Sequence, residues 1–88
     1  MSTTRIVTLI GKPGCHLCDD ARTVLTEVLA SMPDTGVSIR LHEQNILEDD
    51  SLRQQYAEEI PVVLIDGRMH SYWTVDPVRF RAALEELK

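Results

Sequence analysis

Cys15 and Cys18 stand three residues apart in the run Lys12-Pro13-Gly14-Cys15-His16-Leu17-Cys18, and they are the two cysteines of an 88-residue sequence. Residues at this spacing on a helix have neighbouring side chains, so a disulfide can close between them with little backbone movement. Other chemistry fits the bare CxxC as well: two unreactive thiols, or half of a metal site, would look the same. A four-ligand zinc site needs two more donors. The remaining candidates, His16, His42 and His70, lack paired metal-ligand spacing, so no metal ligand is assigned. Two cysteines this close are also too few for the framework of a secreted disulfide scaffold, and in a reducing cytosol such a pair is chemical rather than structural.

The elements that must hold these thiols follow from patterning. Arg5 to Ile10 is short and β-branched and is broken by Gly11, Pro13 and Gly14, which reads as a strand entering a tight loop. From Leu17 the apolar residues fall at Cys18, Ala21, Val24, Leu25, Val28, Leu29 and Met32, the spacing of an amphipathic helix that stops before Pro33. Cys15 is expected in its first turn. There it faces unpaired N–H groups and the positive end of the helix dipole, which favours the thiolate, the form that attacks disulfides. Cys18, one turn inside, is expected to be the more buried thiol. Lys12 and His16 add positive potential near Cys15, whereas Asp19 and Asp20 act against it.

Asp34, Thr35 and Gly36 make a turn, and Val37, Ile39 and Leu41 then alternate with Ser38, Arg40 and His42 as a half-buried strand does. Asp49, Asp50 and Ser51 offer N-cap chemistry for a short helix through Leu52 and Tyr56, which must end before Pro61. Val62 to Ile65 is a buried strand, and Asp66-Gly67 is a two-residue hairpin signal that returns Arg68 to about Trp73 antiparallel to it. Asp76 and Pro77 form an N-cap and first-position pair for a closing helix with Phe80, Ala83, Leu84 and Leu87 on its buried face. The order is βαβαββα over one domain, residues 1–88.

Composition narrows the function. A hydrophobic fraction of 43% against 26% charged supports a core and gives no case for disorder. The net charge of -5 repels phosphate backbones and anionic lipid, so neither nucleic acid nor membrane is expected as a partner. The early apolar run Ile6 to Ile10 is too short for a signal-peptide core and far below the roughly 18 residues of a membrane span, which leads to the expectation of a cytoplasmic protein.

KPGCHLC at Lys12 to Cys18, IPVVLIDG at Ile60 to Gly67 and the βαβαββα order together carry a resemblance covering essentially the whole chain. The sequence resembles the glutaredoxin branch of the thioredoxin superfamily, most nearly small glutaredoxin-like proteins with a Lys-Pro-Gly-Cys-x-Leu-Cys start. The resemblance implies an α/β, thioredoxin-like fold of glutaredoxin type, a four-stranded mixed sheet flanked by three helices. It also implies that Pro61 is the superfamily's loop proline, cis and facing the cysteine pair. In the mechanism it implies, the Cys15 thiolate attacks a substrate disulfide and Cys18 resolves the mixed disulfide. Lys12 falls where many glutaredoxins place a basic residue near the glycyl carboxylate of glutathione, although a solvated loop lysine accounts for it equally well. Substrate contacts are further expected at His16, Ile60 and Tyr72.

The sequence departs from the glutaredoxin pattern in ways that bear on substrate. His16-Leu17 replaces the usual Pro-Tyr, and Ile60 rather than Thr precedes the loop proline. Counting from Pro61, the Gly-Gly of glutaredoxins falls on Ser71 and Tyr72, and the helix-capping Asp is displaced to Asp76. Tyr72 at a close-approach position obstructs what glycine admits. Tyr72 and Trp73 fit an apolar surface for docking a protein, or simple core packing. The expected function is dithiol–disulfide exchange on protein or small-molecule disulfides by a monomer without a tightly bound cofactor. Glutathione, as a weak reductant, or a thioredoxin reductase would supply electrons. Two other classes stay open: a metal or iron-sulfur carrier using Cys15 with glutathione, and an interaction domain with vestigial cysteines.

Overall fold

Val7, Leu9 and Ile10 lie in the second half of β1 (Thr3–Gly11), an inner strand of the sheet that is buried on both faces from Val7 to Gly11. A computed structural model of the protein describes residues 3–32 and 37–86. After β1 come α1 (His16–Ser31), β2 (Val37–Asn45), a 3-10 turn (Ile46–Glu48), α2 (Asp50–Tyr56), β3 (Val62–Ile65), β4 (Arg68–Tyr72) and α3 (Pro77–Glu85). The four strands are ordered β2-β1-β3-β4, with β1 parallel to β2 and antiparallel to β3, and β3 antiparallel to β4. This is the mixed four-stranded sheet with three helices of a thioredoxin-like fold.

The two-residue period of the strands divides the apolar side chains between two cores. Val7 and Leu9 of β1 join Val63 and Ile65 of β3 on the face covered by α1 and α3, packed with Ala21, Leu25, Val28, Phe80 and Leu84. Ile10 and Val62 point the other way and pack with Ile46, Leu52 and Tyr56. Each fully buried side chain of this size contributes about 1.5–3 kcal/mol relative to exposure. Both cores press on the same two strands, which fixes the sheet end where the cysteines lie.

The local signals act as their chemistry requires. The Asp49 carboxylate accepts from Ser51 N and Leu52 N and so caps α2, and Asp76 does the same for α3 with Val78 N and Arg79 N, Pro77 following it. Asp66 and Gly67 adopt φ of 51° and 82°, the paired positive values of a tight hairpin turn. Asp66 also accepts from Ile6 N at 3.0 Å and pairs with Arg5 at 3.1 Å, tying the turn to β1. α1 ends at Ser31, and Met32 is extended at φ -77° and ψ 139°, as a residue preceding proline prefers.

Several expectations need correction. β1 and β2 are longer than their patterning implies, running to Gly11 and Asn45 because the parallel ladder continues from Thr3↔Val37 to Gly11↔Asn45. The 3-10 turn and the burial of Ile46 have no counterpart in the periodicity reading. Cys15 is the N-cap of α1 rather than a residue of its first turn, and Leu17 is exposed because it falls off the buried stripe of Cys18, Ala21, Leu25 and Val28. β4 stops at Tyr72, since Trp73 turns to φ 68°. Pro33, the turn at 34–36 and Leu87 lie outside the described residues.

Candidate active site

Gly11 ends β1, and the loop Lys12, Pro13 and Gly14 carries the chain to the start of α1, with Gly14 at φ 77°. Cys15 then takes the N-cap position with extended backbone, φ -94° and ψ 111°. Its sulfur accepts from the main-chain N–H of Cys18 at 3.2 Å, and its carbonyl accepts the first helical bond from Asp19 N at 3.1 Å. A side chain at this position meets the unpaired N–H groups of the first turn, so the fold puts a sulfur where a helix stabilises negative charge.

Cys15 and Cys18 are joined as a disulfide with Cα atoms 5.2 Å apart, within the ordinary range for the bond. The two sulfurs differ in access. Cys15 is half-exposed, whereas Cys18 is 1% exposed beneath the helix and against β1. Cys15 is thus the more accessible of the two cysteines from solvent.

The charged neighbours divide as follows. Lys12 is exposed and lines a cleft of about 360 Å³ together with Gly11, Cys18, Arg22, Glu43 and Glu48. Asp19 does not act alone, because Arg22 bonds it at 2.9 Å and Glu43 at 2.6 Å. Hydrogen bonds to Glu43 and then Asp19 push the Arg22 pKa up and keep this cation charged. The negative potential of Asp19 at the cysteines is thus partly offset. His16, the first residue of α1, is exposed.

The second half of the site comes from β3. Ile10↔Val62 is the last pair of the β1–β3 ladder, so the next step sets Pro61 at the sheet end where Gly11 leads into the cysteine loop. The Ile60–Pro61 bond is cis, and Pro61 is fully buried. Ile60, half-buried, packs its side chain on the Ile10, Ile46 and Val62 cluster.

β4 runs beside this loop, and the residue just past it, Trp73, takes part by hydrogen bonds that the sequence reading did not foresee. Trp73 donates its main-chain N–H to Pro61 O at 2.8 Å and to Glu59 O at 3.2 Å, and its indole Nε1–H to Glu58 O at 3.0 Å. Tyr72 is exposed and meets the Trp73 ring edge-on, with centroids 5.0 Å apart. Trp73 and Leu17 line one small cleft of about 110 Å³ with Asp20 and Val24, which sets the Trp73 side chain beside the residue before Cys18. Ser71 pairs with Val63, and its hydroxyl oxygen is buried without a hydrogen-bond partner among the described residues. His70 and His42 stand on β4 and β2, and among the described residues no three His, Cys, Asp or Glu side chains are grouped as a metal site. No helix among them is long and apolar enough to cross a membrane.

Residues 6–85 match the family described as glutaredoxin-like domain (DUF836). The uncharacterized protein Rv0508 of Mycobacterium tuberculosis is 34% identical over 76 residues, 86% of this chain and 78% of that protein. The X-ray structure of the structural-genomics target XcR50 from X. campestris is 30% identical, superimposes with a TM-score of 0.71, and covers 91% of this chain and 96% of that one. A thioredoxin variant from Halobacterium salinarum, 17% identical with a TM-score of 0.63 over 96% of this chain and 74% of its own, shares the fold. With a CxxC-spaced cysteine pair at the helix start and a cis proline at the same sheet end, the chain belongs to the glutaredoxin-like domain family, on a thioredoxin-like fold.

Proposed function

We propose that the protein is a dithiol–disulfide oxidoreductase of the cytoplasm that reduces disulfides of proteins or small molecules through Cys15 and Cys18. The observation that carries this reading is the asymmetry of the pair: a half-buried cysteine at a helix N-cap and a fully buried one within bonding reach. In the reduced protein, the Cys15 thiolate attacks one sulfur of the substrate disulfide, and the other sulfur leaves as a thiolate and takes a proton from solvent. Cys18 then loses its proton and attacks Cys15 Sγ. The second substrate thiolate departs, the two cysteines are oxidised, and two electrons have passed to the substrate.

Reduction of the Cys15–Cys18 disulfide closes the cycle, and glutathione or a thioredoxin reductase is the donor class that this chemistry needs. Glutathione is the poorer of the two in this reading, because the exposed Tyr72 side chain stands where glutaredoxins present glycine, whereas the Ser71 hydroxyl beside it is buried. No resident cofactor or metal enters the scheme.

The test offers the oxidised protein two couples separately, glutathione with its reductase and a thioredoxin reductase, and follows consumption of the nicotinamide donor with a protein disulfide present. Consumption that depends on the protein and vanishes in Cys15→Ser is expected in at least one arm. No protein-dependent consumption in either arm, from a sample whose disulfide titrates reversibly, would overturn the reading.

A further inference from the structure

We propose that Gly11 is a positioning residue for the resolving thiol: the hydrogen it carries in place of a side chain is the room in which the Cys18 sulfur sits. The inference rests on the oxidoreductase reading and assigns a role in its second step. A Cβ built on Gly11 comes 2.7 Å from Cys18 Sγ and 3.1 Å from Cys18 Cβ. The first distance is closer than real Cβ contacts come, and neither atom is the loose end of a flexible side chain. Cys18 is 1% exposed, fixed to the first turn of α1, and bonded to Cys15 in the oxidised protein.

Nothing else in the local backbone calls for glycine. Gly14 and Gly67 adopt φ of 77° and 82°, but Gly11 is a strand residue paired with Asn45 and lacks a positive φ. Glycine within a strand is destabilising relative to alanine because it has more freedom to lose. The missing Cβ is therefore accounted for by the sulfur it faces.

Exchange makes that room matter. On reduction, the sulfurs part from a bond of about 2.0 Å to non-bonded contact, so one of them must retreat. In resolution, Cys18 Sγ must come into line with the bond between Cys15 and the substrate, forming one S–S bond as the other breaks, and the electron pair leaves on the substrate sulfur. A side chain on Gly11 displaces the nucleophile of this step and leaves Cys15, the more accessible thiol at the N-cap, free to perform the first. Misplacing a reacting atom by about 1 Å can slow a step about 100-fold.

The experiment mixes reduced Gly11→Ala with Ellman's reagent, whose first coloured thiolate reports attack by Cys15 and whose second reports attack by Cys18. A first phase within twofold of wild type and a second phase slower by about 10- to 100-fold are expected. A second phase at the wild-type rate, or both phases slowed alike, would overturn the proposal. A variant too unstable to assay is covered by a thermal-unfolding cycle of Gly11→Ala, Cys18→Ala and the double variant. The proposal requires Gly11→Ala to lower Tm less when the sulfur is absent, and an equal loss in both backgrounds refutes it. Failure of the oxidoreductase reading is distinguishable, since it shows in wild type as absent turnover whatever the ratio of the two phases.

Discussion

The main-chain N–H of Trp73 donates to the carbonyl oxygen of Pro61 at 2.8 Å, so the residue just past β4 fastens the loop preceding β3. It does so at φ 68°, a conformation that bulky residues rarely adopt and that surrounding contacts must hold. The indole bond to Glu58 O at 3.0 Å is one of those contacts. Trp73→Phe removes that bond and keeps an aromatic ring beside Tyr72. A net hydrogen bond is worth about 0.5–1.5 kcal/mol, and a domain of this size loses about 4–8 °C per kcal/mol. A fall of a few degrees in Tm is expected, with the Cys15–Cys18 disulfide still able to form. An unchanged Tm would mean that the indole does not hold the loop.

The exposure difference between the cysteines separates their variants. Cys18→Ser is expected to accumulate a mixed disulfide with substrate, because the buried thiol that releases product is gone, whereas Cys15→Ser forms none at an appreciable rate. Intact-mass measurement after a short exposure to a glutathionylated peptide reads this directly. Adducts of equal yield in both variants would contradict the assignment of attacking and resolving roles.

His70 supplies a pH signature independent of the thiols. Leu64↔Met69 and Val63↔Ser71 leave His70 as the extra residue of a β-bulge, half-buried with its ring 5.8 Å from Phe80. Burial first, and the charge of Arg79 second, lower its pKa below the ordinary value of about 6.5. The folded protein thus prefers the neutral ring, and below about pH 6.5 the unfolded chain binds the proton first. Stability from this group is complete above the unfolded pKa and is lost as pH falls through and below it. In His70→Gln, urea midpoints compared at about pH 7.5 and about pH 5.5 are expected to fall less than in wild type on acidification. Parallel losses would show that His70 does not carry the slope.

How much of this was legible in sequence depended on whether the signal was local. Asp66-Gly67 and Asp76-Pro77 were readable because the turn and the cap are made by those residues themselves, and Val62 to Ile65 because a buried strand needs only β-branched residues between breakers. The cysteine spacing was readable for the same reason. Leu17 fitted the helical period yet faces out, since which stripe is buried is decided by where α1 meets the sheet. Trp73 was readable only as an exposed or packed aromatic beside Tyr72, not as the residue that bonds the Pro61 loop. Its bonds reach back to Pro61, Glu59 and Glu58, and only the β3–β4 pairing brings them near. Gly11 read merely as a strand breaker, because its other reason for being glycine is the sulfur of Cys18, seven residues on in the first turn of α1.

The substitution of Ser71 and Tyr72 for glycine leads to the last prediction, that glutathione supports turnover more slowly here than in an ordinary glutaredoxin. These residues end β4, opposite Val63 and Val62, so both belong to the strand segment that runs past the Pro61 loop. A glycine there lets a ligand approach main-chain donors, whereas the phenol of Tyr72 stands exposed over that edge, held edge-on by Trp73. Lys12 does not make up the difference, since an exposed ion pair to a ligand carboxylate is worth about 0–1 kcal/mol. The measurement is the rate of glutathione-dependent reduction of a small mixed disulfide by wild type and by the Ser71→Gly, Tyr72→Gly double variant. A severalfold gain in kcat/KM for glutathione is expected in the double variant, with the Ellman first phase of Cys15 unchanged. Because two glycines also loosen β4, Tm is followed alongside, and the Tyr72→Ser single variant, which keeps a side chain on the strand, should show part of the gain. If wild type already matches an ordinary glutaredoxin, or neither variant gains, side-chain bulk at the end of β4 does not limit access to the dithiol.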